Sequence, residues 1–417
     1  MSLAISTPLR LLVIFGFRNM NTLYAIIVFL CLASINKCVH SFEFIFQRDS
    51  TSDPDVFLNS PQLIRKYNYT VEEHEVTTED GYKLNIFRIP KKAPPVLLVH
   101  GIGDSSDCWL VLGPKHSLAY QLADNGYDVW LFNARGNRYN KENVNKVPDK
   151  IFWDFSFEEI GYRDLPRTID YILNVTSISK LTYIGFSQGT TVFLVMLSLR
   201  PEYNIKIEHA ILLAPVSSLI TTKYPLIDFF YNNLDKLKSL ARHIFEVFPF
   251  NERLNRYHVA VCNPRSPLRL LCESELFVNF GLKKLTNLLP EKLPVITSHI
   301  PAGTSSKLFL HFLQSYKGFR RYDYGGTRNK IVYSSPSPPE YDLSRIFVPV
   351  TLITSEVDWF SAIDDVNVLK NKLQNVDKFI VIEKNRQFTH LEFIYGARVN
   401  KFINQPVLNI LEFIHKV

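Results

Sequence analysis

The chain has 417 residues, 46% of them hydrophobic and 21% charged, with a formal net charge of +7. That globular balance, without repeats, heptads or low-complexity tracts, leaves room for one large domain with an insertion, or for two domains. Its basic residues are scattered among acids, as in RDLPRTID and RYDYGGTRNK, which describes a solvated surface and argues against a nucleic-acid-binding stripe.

The N-terminus is set apart. Residues 11–17 are apolar, Arg18, Asn19 and Asn21 interrupt, and 23–33 (LYAIIVFLCLA) are apolar again. The second run has the length of a signal-peptide core and is too short to span a bilayer. Residues 1–33 are therefore expected to be a signal peptide cleaved between 33 and 41, with Met20 as an alternative start. The rival is an uncleaved anchor. The polar break at 18–21 opposes it, so no integral membrane anchor is expected, and the protein is read as secreted or lysosomal through the secretory pathway.

Secretion permits disulfides. Of five cysteines, Cys31 and Cys38 fall in or near the signal. Cys262 and Cys272 close the short loop CNPRSPLRLLC and are the expected pair, leaving Cys108 as a lone buried thiol. The alternative is that all three are reduced core residues. Asn68-Tyr69-Thr70 and Asn174-Val175-Thr176 are glycosylation sequons that fit the same route.

Further on, VEEHEVTTEDGYKLNIFRIP places two alternating segments around Asp80-Gly81, a hairpin signal. Short apolar runs then recur at 96–99 (VLLV), 129–132 (VWLF), 181–184, 210–213, 350–353 and 379–382. Continuous rather than alternating runs describe strands buried on both faces. Helices are expected between them. Ser156 and Glu159 form a capping box, and Asp164 is expected to cap a helix with Pro166 in its first turn, ending near Asn174. Residues 191–199 form an apolar helix. Alternating strands and helices predict an α/β fold with a mostly parallel sheet, its first part at 42–217 and its second at 326–417. Residues 218–325, rich in Leu, Phe, Lys and Asn, predict a helical insertion over the carboxyl edge of the sheet.

The chemistry centres on LTYIGFSQGT (181–190), where Gly185, Ser187 and Gly189 spell G-x-S-x-G. A serine hydroxyl attacks only when a base takes its proton. A strand–turn–helix lifts such a serine above a sheet, and small flanking residues allow the turn. Here the motif follows an apolar strand and opens an apolar helix. The base must be a histidine steadied by an acid. Of the eleven histidines, only His390 and His415 follow the last strands. His415, two residues from the C-terminus, is expected to be exposed on a final helix. His390, in FTHLEF, stands where the base belongs. Asp358, at the end of VPVTLITSEVD, is the expected acid, with Glu356 its rival and Asp364 and Asp365 less suited because they begin a helix. Two backbone amides should hold the oxyanion: that of Gln188, after the nucleophile, and that of Ile102, on the loop after the 96–99 strand. His100 is read as structural, bonded within its own loop. No spacing suggests a metal site, and no cofactor is expected.

Together these segments, with LLVHGIGDSSDCWL, FWDFSFEEIGYRDLPRTIDYI, HIPAGTSSKLFLHFLQ and FRRYDYG, resemble the acid lipase family of gastric and lysosomal lipases and their insect relatives, over nearly the whole mature chain. The departures lie in SSLITTKYP after ILLAPV and in the acid loop SEVDWFSA. The resemblance implies an α/β-hydrolase fold and a Ser187–Asp358–His390 triad. It also implies oxyanion amides at Ile102 and Gln188, a cap with a lid at 218–325, and a cap disulfide matching Cys262 and Cys272. The expected activity is hydrolysis of neutral lipid esters through an acyl-serine, with the cap touching lipid transiently. The alternatives are a short-chain esterase or thioesterase on the same fold, and a catalytically inactive lipid-binding protein.

Overall fold

The computed structural model describes residues 53–282 and 287–415, so the expected signal peptide, Cys31 and Cys38 lie outside the described residues. Among the described residues ten strands form: β1 (Glu72–Thr77), β2 (Lys83–Ile89), β3 (Pro95–Val99), β4 (Asp128–Leu131), β5 (Leu181–Phe186), β6 (Ile207–Leu213), β7 (Glu246–Val247), β8 (Thr304–Ser305), β9 (Val350–Ser355) and β10 (Val376–Ile382). Eight of them make one sheet in the order β1-β2-β4-β3-β5-β6-β9-β10, while β7 and β8 pair as a small ribbon. β1 and β2 are an antiparallel hairpin around Asp80-Gly81, with Thr77 opposite Lys83. β2 meets β4 antiparallel, and every pair from β4 to β10 is parallel.

The central strands are buried on both faces because helices cover both sides. Leu98, Ile184, Ile211 and Ile353 point into one core, and Leu97, Tyr183, Leu212 and Leu352 into the other. Each such side chain contributes about 1.5–3 kcal/mol by leaving water. β10 departs from the expected burial. It is the sheet edge, with most of its residues only half-buried.

The expected capping box forms: the Ser156 N–H donates to Glu159 Oε2 at 2.6 Å, and the Ser156 hydroxyl accepts the Glu158 N–H at 3.1 Å. Asp164 does not cap a new helix. The chain continues from Phe157–Glu159 through one wide turn, Ile160–Asp164, into Leu165–Thr176, and the Asp164 side chain makes no cap bond. Instead it is buried and receives Arg135, whose Nε lies 2.9 Å from Asp164 Oδ1 and whose Nη1 lies 2.7 Å from Asp80 Oδ2. A buried guanidinium claims the carboxylate more strongly than exposed backbone amides do.

Between β6 and β9 the strands of the main sheet pause. The helices Ile227–Asn232, Leu234–Leu240, Glu252–Val261, Arg269–Phe280, Leu293–His299, Ser306–Gln314 and Gly326–Tyr333 occupy this stretch. A disulfide joins Cys262 to Cys272 with a Cα–Cα distance of 5.3 Å, and Cys108 is free and buried. Phe230, Leu237, Leu310 and Leu313 build a separate apolar cluster, against which Phe360 packs. Among the described residues no helix is long and apolar enough to cross a membrane.

Candidate active site

Ser187 stands between β5 and the helix Gln188–Leu199 with φ 51° and ψ −115°. Few non-glycine residues adopt this conformation, and it turns the chain sharply enough to raise the side chain above the sheet. Both flanking glycines are required by close approach. A Cβ on Gly189 would lie 2.3 Å from the Val99 carbonyl oxygen, and one on Gly185 would lie 2.7 Å from Gly189 itself. The Tyr183 hydroxyl donates to Gly189 O at 2.6 Å and fastens the turn from below.

His390 meets Ser187 across 203 residues of sequence, with Nε2 2.8 Å from the serine Oγ. On its other side, Nδ1 is 2.8 Å from Asp358 Oδ2. With Nδ1–H donating to the carboxylate, the Nε2 lone pair is free to accept the serine proton. Asp358 is fully buried, and its Oδ1 accepts the Phe360 and Ser361 N–H groups at 2.9 and 3.0 Å. The rival acids are elsewhere engaged. Glu356 is exposed and accepts the Lys384 N–H, Asp364 is exposed, and Asp365 accepts the Thr221 N–H at 3.1 Å. His415 is half-buried rather than exposed, because the last helix packs against the sheet and brings its Nε2 3.1 Å from Thr182 Oγ1.

Gln188 directly follows the serine, and Ile102 lies on the loop whose Gly101 approaches it. Gln188 is the first residue of its helix, where the amide has no acceptor one turn back. The loop carrying Ile102 passes so close that a Cβ on Gly101 would lie 3.4 Å from Ser187 Cβ. Among the described residues neither amide donates to a protein acceptor. His100 is bonded locally. Its Nδ1–H donates to Gly101 O at 2.7 Å, its Nε2 accepts the Ala134 N–H at 3.1 Å, and burial pushes its pKa down to about 4. It is therefore held neutral and shapes the loop.

Sequence reasoning missed several side chains around the site, because only the fold brings them against His390 or its turn. Phe360 and Phe186 lie against the His390 ring, at centroid distances of 5.2 and 5.1 Å. The buried Glu392 accepts the Thr389 N–H at 2.7 Å and Arg398 at 2.8 Å, bracing the turn that holds His390. Ser187 and His390 are only 7% and 5% exposed, so the site is roofed. Asn68 and Asn174 are both exposed, Asn174 in the last turn of Leu165–Thr176.

A serine hydrogen-bonded to a histidine, itself bonded to a buried carboxylate, can lose its proton to that histidine. Comparison with known proteins gives the same direction. Residues 94–393 match a family described as "alpha/beta hydrolase fold", and residues 60–113 match a "Partial alpha/beta-hydrolase lipase region". "Lipase 1" of Drosophila melanogaster is 40% identical over 366 residues, covering 86% of this chain and 80% of that protein. "Gastric triacylglycerol lipase" of Rattus norvegicus is 37% identical over 382 residues, covering 88% and 95%. The protein of the same name from Homo sapiens is 34% identical over 404 residues, covering 92% and 98%.

Proposed function

The chain belongs to the acid lipase family of the α/β-hydrolases, and from that premise we propose that it hydrolyses the carboxylic ester bonds of neutral lipids, triacylglycerols or steryl esters. The observation that carries the proposal is the hydrogen-bonded line from Ser187 through His390 to Asp358. In the first step His390 takes the Ser187 proton and the oxygen attacks the ester carbonyl. The Ile102 and Gln188 amides hold the oxyanion, and His390 returns the proton to the leaving alcohol. In the second step His390 takes a proton from water, the hydroxide attacks the acyl-serine carbonyl, and His390 passes the proton to the departing Ser187 Oγ as the fatty acid is released. Asp358 holds the imidazole in the working tautomer throughout.

The segment 218–325 is read as a cap with a lid that touches the lipid surface transiently when it opens. Its apolar cluster, which reaches the His390 ring through Phe360, supports that reading. Secretion, or delivery to a lysosome, is supported by the apolar run at 23–33, by the disulfide and by exposed sequons at Asn68 and Asn174.

The test is hydrolysis of long-chain triacylglycerol and cholesteryl ester emulsions at acidic and neutral pH, with Ser187→Ala alongside. We expect activity on at least one emulsion and a fall of more than about 10³-fold in the variant. Activity confined to short soluble esters would replace the lipase reading with an esterase. A Ser187→Ala protein that still cleaves esters would remove the serine from the mechanism.

A further inference from the structure

One buried side-chain bond joins the loop after β3 to the turn that carries His390. Asp104 follows Ile102 by two residues and is 6% exposed. Its Oδ1 accepts the Ser105 N–H at 2.8 Å, and its Oδ2 accepts the Tyr395 hydroxyl at 2.6 Å. Tyr395 is 1% exposed and ends the short helix Glu392–Tyr395. That helix is continuous with the His390 turn: the Phe393 N–H donates to His390 O at 3.4 Å, and the Tyr395 N–H donates to Leu391 O at 2.8 Å.

A buried carboxyl with no cation beside it is costly and needs a reason. The titratable groups that face Asp104 are Tyr395, from the His390 turn, and Asp107 and Cys108, from the turn Ser106–Trp109. None of them offers a positive charge to Asp104. Arg138 pairs instead with the neighbouring Asp107, at 2.9 Å. By contrast Asp80, Asp107 and Asp164 each have an arginine. What Asp104 does hold together are two segments 291 residues apart, and these present the Ile102 amide and the His390 ring.

We infer that the Asp104–Tyr395 bond is a clamp that sets the oxyanion loop against the His390 turn, making Asp104 and Tyr395 positioning residues for ester hydrolysis. The inference rests on the reaction proposed above. In a site of this kind, a displacement of about 1 Å costs about a hundredfold in rate. Protonation would change the clamp. An ionised Asp104 accepts from both Ser105 and Tyr395, whereas a proton on either oxygen competes with one of those bonds. Burial pushes the Asp104 carboxyl up to about 7, which brings that competition to neutral pH, and the clamp weakens as pH falls.

The experiment compares the full chain with Tyr395→Phe, which keeps the ring and removes the hydroxyl, and with Asp104→Asn. The substrate is a soluble ester below its solubility limit, so adsorption plays no part. We expect kcat to fall about tenfold or more in both variants with KM within about twofold, and the kcat ratio of wild type to Asp104→Asn to change across neutral pH. In parallel, hydrogen exchange should quicken in segments 100–105 and 387–396 of Tyr395→Phe and remain unchanged in β5 and β6. Two variants with wild-type kcat, or unchanged exchange in those two segments, would overturn the clamp. If the wild type cleaved no ester, the proposed reaction would fall, while exchange would still decide whether the clamp exists.

Discussion

Ser187 is held in a conformation that costs a non-glycine residue about 1–3 kcal/mol, and the surrounding packing sustains it. The neighbouring acid can be tested at the same scale. Asp358→Asn would keep the shape and place an amide donor against His390 Nδ1, favouring the wrong tautomer. The expected result is a fall in kcat of about 10³- to 10⁴-fold with KM little changed, read from steady-state kinetics. A second residue reports on stability. His209 is 4% exposed with Nε2 2.9 Å from Thr351 Oγ1, and burial pushes its pKa down to about 4. The unfolded chain would protonate it near its ordinary value of about 6.5. Its contribution is therefore complete above about pH 6.5 and is lost as pH falls toward 4. His209→Gln should lose less stability than wild type across that window in urea unfolding. Parallel curves for the two proteins would contradict the assignment.

Elements were legible in the sequence where the hydrophobic period or a cap was local. The VLLV, VWLF and LTYI runs became β3, β4 and β5, and the Ser156–Glu159 box formed because both partners lie within one turn. Asp164 misled for the opposite reason. Its neighbour Pro166 suggests a helix start, yet the residue that decides its role is Arg135, 29 positions away. That guanidinium ties three elements, the β1–β2 turn through Asp80, the loop after β4, and the wide turn at Asp164, while stacking 3.9 Å over the Tyr82 ring. Asp164→Asn would leave the buried cation half-paired. A loss of about 3–5 kcal/mol in urea unfolding is expected, with m-values unchanged.

At the scale of the molecule, the site is closed. Ser187 and His390 are almost fully covered, and on the proposed lid reading of 218–325 a long acyl chain would reach the serine only after the insertion moved. Opening would expose part of the apolar cluster around Phe230, Leu310 and Leu313, a surface that a lipid interface stabilises and water does not. Hydrolysis of a partly soluble ester is therefore expected to rise abruptly, rather than hyperbolically, as its concentration crosses the solubility limit. A smooth saturation curve through that limit would indicate a site open in solution.

By itself the sequence determined the strand–helix alternation, the serine turn, the position of the histidine and the class of chemistry, because each is written in neighbouring residues. G-x-S-x-G needs only a strand before it and a helix after it. FTHLEF and SEVD carry the right residue types beyond the last two strands. Tertiary structure alone decided what buried partner claims Asp164, how Asp104 and Tyr395 join two loops, and that the site is roofed, and it put Asp358, the acid the sequence favoured over Glu356, against His390. Those outcomes depend on distances between residues tens to hundreds of positions apart, and on the burial that makes an unpaired charge costly. Neither is encoded in any local period of the chain.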